Sequence, residues 1–292
     1  MPHVPVLLHE VLEALAPRAG EFMIDGTANG GGHARALRAR VGKKGLLLAI
    51  DWDAMQARAL RSSLRAPNVR VVQGNYADTL RIMSDEKLPR ANGLLLDLGF
   101  STEHLEHAGR GFSFVRDEPL LMTYDEERTP AKEVLRSVRE EDLMRILFRY
   151  GEERYARRIA HAVKHALRTR RIDTSGALRD VVAQAVPKSY ERGRIHPATR
   201  TFQALRIFVN GELENLEILL ASLPEVMAEG GRVAIISFHS LEDRIVKHAF
   251  RALAQKKLGV LITKKPIMST IKEQQENPKA RSAKLRAIMM RT

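Results

Sequence analysis

Five apolar runs of strand length constrain this chain more than any other feature: FMID (22–25), LLLAID (46–51), VRVVQGN (69–75), GLLLDLG (93–99) and VAIISF (233–238). Helical stretches such as HARALRARV and DAMQARALRSSL separate the first four. Continuous apolar runs suit strands covered on both faces, and their alternation with helices predicts an α/β fold around a mostly parallel sheet. Two later runs, VLITKKPI (260–267) and KLRAIMMR (284–291), are expected to close the sheet at one edge. A first helix is expected at VLLHEVLEAL, with Val4, Leu7, Leu8, Val11, Leu12 and Leu15 giving a helical face to pack on the sheet.

The rhythm then breaks. GLLLDLG and VAIISF lie about 135 residues apart, against the ~30 of a βαβ unit. The interval reads as helix throughout: PAKEVLRSVREEDLMRILFRYG, RYARRIAHAVKHALRT and SGALRDVVAQAV. This predicts a helical domain inserted at 105–205 between two parts of a core, 1–104 and 206–292. The segment LRIFVNGELENLEILLASL is expected to return the chain to the sheet as one crossover helix.

Net charge is +13, and it is unevenly placed. Residues 1–142 carry 19 Lys/Arg against 21 Asp/Glu, residues 143–206 carry 15 against 5, and residues 244–292 carry 13 against 2. One basic helix is commonly a solvated face. Two segments near +10 and +11 favour a polyanion partner, nucleic acid first. With 5% aromatic residues, phosphate-dominated docking is favoured over extensive base stacking. The N-terminus lacks the pattern of a signal peptide and no apolar run has transmembrane length, so a cytoplasmic protein without membrane contact is expected.

In an open parallel sheet, ligands bind beyond the carboxyl ends of the strands. That gathers the loops after Asp25, Asp51, Asp97 and Ser237. The glycine loop Gly30-Gly31-Gly32-His33 follows the first strand, and Asp51 stands nineteen residues after Gly32, the spacing of an acid that binds a ribose. Acids at three strand ends therefore point to a nucleoside cofactor. Asp25 immediately before the loop would repel a pyrophosphate but suit the sulfonium and amino groups of S-adenosylmethionine, and neither GxxxxGK[ST] nor GxGxxG spacing is present. S-adenosylmethionine is favoured, with NAD as the alternative.

For a methyltransferase, the absence of cysteine closes the covalent route to C5 of a pyrimidine. Nitrogens, ribose oxygens or protein side chains remain as targets. The Pro-Pro-aromatic signature of DNA amino-methyltransferases is missing, and DLGFS (97–101) takes its place. His239, Glu242 and Asp243 in SFHSLEDR could suggest a metal site, but a histidine and two acids around a helix start are more often caps and buried hydrogen bonds, so no metal is expected. His196, before Pro197, reads as a turn residue. GEERYARRIA (151–160) reads as a solvated face or a phosphate contact.

Taken together, HVPVLLHEVLEAL, DGTANGGGH, DLGFS, RGFSF, GEERYARRIA, HPATRTFQALRIFVN, SFHSLEDRIVK and NPKARSAKLR resemble, in order, the signature blocks of bacterial 16S rRNA cytosine-N4 methyltransferases. The resemblance runs from His3 to Arg286. It implies a class I S-adenosylmethionine-dependent methyltransferase, Rossmann-like with a mostly parallel sheet and an inserted helical domain. The implied substrate is a decoding-centre cytidine of 16S rRNA in the small ribosomal subunit. Matching positions imply cofactor contacts at Gly31, Gly32, His33, Asp51, Tyr76, Asp97 and His104. The family usually has phenylalanine at Tyr76, glutamine at His104 and PLDMRMD where this chain reads PLLMTYD.

A cytosine N4 lone pair is delocalised into the ring, so an acceptor for its N–H bonds is needed to localise it towards a methyl donor. Asp97 is the first candidate, with Ser101, His239 and Asp243 as further catalytic candidates. The target cytidine is expected to be unstacked. Two other classes stay open at this level: a non-catalytic RNA-binding assembly factor and an NAD-dependent oxidoreductase. A homodimer stays open as the assembly state.

Overall fold

The computed structural model describes residues 5–98, 109–125 and 127–291, with Glu191 and Arg192 described in backbone only. In chain order, the elements before the long interval are α1 (Leu8–Leu15), β1 (Phe22–Asp25), α2 (Gly32–Val41), β2 (Leu46–Asp51), α3 (Ala54–Ser63), β3 (Val69–Gln73), α4 (Thr79–Asp85) and β4 (Ala91–Asp97). Helices α5 (Ala131–Ser137), α6 (Glu140–Gly151), α7 (Ala156–Thr169), α8 (Ser175–Ala185) and α9 (Thr199–Asn210) follow. The chain ends through α10 (Glu212–Val226), β5 (Met227–Ser237), α11 (Ser240–Gln255), β6 (Gly259–Leu261), β7 (Ile267–Met268), α12 (Ile271–Glu276) and β8 (Lys284–Met290). Two compact units result: Met1–Gly99 with Leu213–Thr292, and Phe100–Glu212. The helical unit is thus wider at both ends than the 105–205 expected from the sequence.

The first unit is a sheet of order β3-β2-β1-β4-β5-β8-β6, with β7 paired to β8. Strands β1 to β5 are mutually parallel, and β8 runs antiparallel to β5, β6 and β7. This is a doubly wound mixed sheet, parallel through its first five strands as the alternation of apolar runs and helices predicts. Register explains why the apolar runs are continuous. Ile24 pairs with Leu48 and Leu94, and Met23 with Leu47. Because successive side chains point to opposite faces, Ile24, Leu48, Leu94 and Ile235 pack with Leu216, Leu219, Leu223 and Phe250. Met23, Leu47, Leu95 and Ile236 pack on the other face with Val11, Leu15 and Leu37. Each fully buried leucine contributes roughly 1.5–3 kcal/mol relative to exposure, so both faces hold the sheet rigid beneath its loops.

Two expectations are corrected. VLITKKPI is two short strands, β6 and β7, rather than one. The anticipated crossover helix is two helices, broken at Gly211, whose φ of 61° makes it the left-handed cap of α9. A positive φ there is cheap for glycine, and the helix stops where the chain can turn. α9 consequently belongs to the second unit and only α10 returns to the sheet.

Within the second unit, α9 anchors the segment 109–125. Asn210 is fully buried, donating through Nδ2 to the Met122 carbonyl at 2.8 Å and accepting at Oδ1 from the Tyr124 N–H at 3.1 Å. Arg206 forks onto Glu212 with contacts of 2.7 Å from both Nε and Nη2. Phe114 lies between the rings of His196 and Phe202, 4.7 and 5.0 Å away. His196 Nδ1 also accepts the Ala198 N–H at 3.1 Å, the turn role its sequence context suggested. The block HPATRTFQALRIFVN therefore builds a scaffold.

Candidate active site

The carboxyl ends of β1, β2 and β4 bring Asp25, Asp51 and Asp97 to one edge of the sheet, and all three are buried. The glycine loop wraps this edge through hydrogen bonds to the acids themselves. The Asn29 N–H donates to Asp51 Oδ2 at 2.6 Å, and the Asp53 N–H to Asp51 Oδ1 at 2.9 Å. The Thr27 N–H donates to Asp25 Oδ1 at 3.2 Å, while the Thr27 hydroxyl accepts the Asp97 N–H at 2.6 Å. Asn29 folds its amide back onto the Thr27 carbonyl at 3.0 Å and holds a φ of +43°. Asn is one of few non-glycine residues that tolerate this region.

Gly31 (φ +77°) is the left-handed cap that starts α2. A Cβ at Gly32 would come within 2.4 Å of the Pro5 ring. Close packing thus fixes the loop, with His33 in the first turn of α2. Its Nε2 lies 3.6 Å from Asp97 Oδ2, both side chains being nearly buried. Tyr76 opens the 3-10 turn after β3. Its Cβ would lie 3.3 Å from a Cβ placed on Gly26, which puts it beside the same loop.

Asp25 has an unusual environment. It is 1% exposed, and its Oδ2 is buried with no hydrogen-bond partner among the described residues. Burial pushes its carboxyl up to about 7, and the charges of Asp97 and Asp51 add to the rise. The Thr27 N–H in the loop after β1 and the Ala34 N–H in the first turn of α2 oppose it. A buried orphan oxygen among three acids is a site that lacks positive charge.

S-adenosylmethionine fits this requirement, having a sulfonium and an ammonium for the acids and a ribose for Asp51. The pyrophosphate of NAD would meet the Asp25 side instead, which removes the reason to prefer it.

After β5, His239 is the N-cap of α11. Its Nδ1 accepts the Glu242 N–H at 3.4 Å, and Nε2 lies 3.0 Å from Glu242 Oε1. Glu242 in turn accepts the Phe238 N–H at 2.8 Å and the His239 N–H at 3.3 Å, completing a capping box. Asp243 takes a bidentate contact from Arg286 at 2.6 and 3.2 Å. Burial raises its carboxyl pKa, but Arg286, Lys284 and Lys247 outweigh this and hold it below the usual range. Asp243 is thereby tied to β8, whereas the buried His239 Nε2 makes no hydrogen bond among the described residues. Of the other predicted site residues, Ser101 and His104 lie outside the described residues.

The family model of the MraW methylase family matches residues 1–291. This chain belongs to the MraW methylase family. Among its curated relatives, the ribosomal RNA small subunit methyltransferase H of Anaeromyxobacter sp. (strain K) is 43% identical over 301 residues, covering 98% of this chain and 97% of the relative. The protein of the same name from Coprothermobacter proteolyticus is 43% identical over 286 residues, covering 97% and 94%. That of Deinococcus radiodurans is 43% identical over 285 residues, covering 97% and 88%. As a member of that family, the chain is a methylase.

The structure thus gathers Gly31, Gly32, His33, Asp51, Tyr76 and Asp97 around one strand edge, and gives His239 and Asp243 structural partners of their own. Sequence reasoning missed Thr27 and Asn29 as site-forming residues. Their signal was present in the polar TAN between Asp25 and the glycines, where side chains that bond local backbone are expected. Among the described residues no helix is long and apolar enough to cross a membrane.

Proposed function

We propose that this chain methylates the exocyclic N4 of a decoding-centre cytidine of 16S rRNA in the small ribosomal subunit, with S-adenosylmethionine as methyl donor. The observation that carries the reading is the buried trio Asp25, Asp51 and Asp97 with the unpartnered Asp25 oxygen, in a chain of the MraW methylase family. The first unit binds the cofactor and the second recognises RNA, in the cytoplasm where ribosomal subunits are made.

When bound, the cofactor supplies an electrophilic methyl group on a sulfonium. Asp51 takes the ribose hydroxyls, held in place by the Asn29 and Asp53 N–H groups. Asp25 faces the positive end. Tyr76, Gly31 and Gly32 form the wall of the adenosyl site, and His104 is assigned to it from the sequence pattern. Asp97 accepts an N–H bond of the target amine, localising the nitrogen lone pair, and His33 steadies its carboxylate from 3.6 Å. Ser101 is assigned as a second acceptor from the DLGFS sequence pattern. His239 and Asp243 act as positioning residues, capping α11 and tying it to β8. Orientation supplies much of the rate, because the reaction needs in-line approach and little covalent help.

The decisive assay is transfer from labelled S-adenosylmethionine to small subunits of cells lacking this enzyme, followed by nucleoside mass spectrometry. N4-methylcytidine at one decoding-centre position is expected. Tight cofactor binding without transfer, or another methylated nucleoside, would refute the assignment.

A further inference from the structure

The outward face of α7 carries a run of cations that the helical unit leaves uncompensated. Six arginines elsewhere in that unit are paired with acids: Arg139 and Arg145 with Asp142, Arg136 with Glu133 and Asp173, Arg171 with Asp173, Arg179 with Asp180, and Arg206 with Glu212. Arg157, Arg158 and Arg168 are exposed and form no ion pair or side-chain hydrogen bond among the described residues. His161 and His165 lie between them, their rings 6.3 Å apart, and His161 Nδ1 is 3.1 Å from Glu140 Oε1.

At about 100° per residue, Arg157, Arg158, His161, His165 and Arg168 fall within an arc of roughly 100°. Ala156, Ile159, Ala160, Val163 and Ala166 are buried on the opposite face. At ~1.5 Å per residue the stripe is roughly 16 Å long, enough to face several consecutive phosphates. Clefts flank it on both sides. One of about 420 Å³ is lined by Glu140, Arg154, Tyr155, Arg157, Arg158 and His161. Another of about 470 Å³ includes His161, His165, Thr169, Arg170 and Gln184.

We propose that this face of α7 is the surface on which the phosphodiester backbone of the RNA substrate docks, its three free arginines each meeting a phosphate. The assignment rests on the rRNA methyltransferase reading and gives it a location. Charge complementarity selects the occupant. A stripe with three unpaired guanidiniums and one neighbouring acid suits a polyanion, and guanidinium matches phosphate in a two-pronged geometry.

The test compares the full-length wild type with the triple variant R157Q/R158Q/R168Q, titrated against small ribosomal subunits from cells lacking the enzyme over a range of KCl. The slope of log affinity against log salt should fall by about 2–3, at roughly 0.7–0.9 for each of the three lost phosphate contacts. Affinity near 0.1 M salt should fall roughly tenfold or more. The KM for subunits should rise with kcat and S-adenosylmethionine binding retained. The charge-keeping variant R157K/R158K/R168K should restore most of the slope.

As a control, Lys43→Gln with Lys44→Gln removes two exposed charges at the opposite end of β2 from Asp51 and should leave the slope unchanged. Wild-type affinity and slope in the triple variant would overturn the assignment, as would an equal loss in the lysine control, which would mean that net charge rather than α7 holds the RNA. If the wild type itself neither binds nor methylates subunits, the proposed function fails instead.

Discussion

Replacing Asp25 with asparagine should make the cofactor-free protein more stable at high pH and a poorer enzyme. The folded state keeps the Asp25 proton to about pH 7, whereas the carboxyl ordinarily loses it near 3.8. Between these values the folded state binds more protons than the unfolded chain, so stability falls as pH rises and levels off above about 7. At about 1.36 kcal/mol per pH unit, the full cost is about 4 kcal/mol, of which about 3 kcal/mol accrues between pH 5 and 8. Asparagine has the same shape and no charge to bury, so the variant escapes this cost. Melting temperatures of the two proteins without cofactor should therefore diverge by roughly 6–12 °C across that range, at about 2–4 °C per kcal/mol, with the variant higher at pH 8. The same variant should lose more affinity for S-adenosylmethionine than for S-adenosylhomocysteine, because only the former carries the sulfonium. A melting gap that stays constant from pH 5 to 8 would refute the argument, since it would mean that Asp25 does not titrate in that window.

Three further changes separate binding from scaffold. Asp51→Ala should weaken S-adenosylmethionine binding by calorimetry while leaving RNA affinity largely intact; equal loss of both would sink the division of labour between the units. His239→Ala should cost about 1 kcal/mol as a lost helix cap, whereas His239→Asn, which can still cap α11, should keep both stability and kcat. A large kcat loss in the asparagine variant with normal melting would return His239 to the chemistry. Arg286→Met should destabilise by about 1.5–3 kcal/mol, the range of a hydrogen bond to a charged group, because Asp243 keeps only the more distant Lys284 at 3.8 Å. Asp243 has a depressed pKa, so its pairing is worth most above its ordinary range and is lost as pH falls through the folded value. The Arg286 defect should accordingly shrink in acid, and a defect independent of pH would contradict the pairing.

The core was legible because its strands announce themselves. FMID, LLLAID and KLRAIMM occupy β1, β2 and β8 almost residue for residue, since a strand buried on both faces has few polar positions to blur its extent. The helical unit was harder to bound. LRIFVNGELENLEILLASL is apolar enough to read as one helix, and helices usually tolerate an isolated glycine at ~1 kcal/mol. What ended α9 was the left-handed turn at Gly211, with Asn210 and Arg206 bound into the second unit. Those are long-range commitments with no local signature. The same holds for SFHSLEDR: its residue types could suit a metal or a base, and neither the capping box nor the distant Arg286 that the structure adds has a local signature.

The acids at the strand ends show why sequence spacing reached the candidate site. Parallel strands set side by side must bring their last residues to a common edge, so Asp25, Asp51 and Asp97 become neighbours through topology alone. Their neighbourhood is what makes them costly. Asp51 is stabilised by two backbone N–H groups from the loop, and Asp97 lies near His33. Asp25 has a weaker arrangement, with one oxygen unpartnered among the described residues. Nothing in folding requires that oxygen to be charged, and a protonated or amidated residue would serve the sheet better. A cationic ligand reverses the balance, since it compensates the deepest acid and weakens the repulsion among all three. The fold therefore retains Asp25 at the expense of stability, as active sites commonly do. A sulfonium gives up its charge when it transfers its methyl group, so the cluster that favours the methyl donor favours the spent cofactor less.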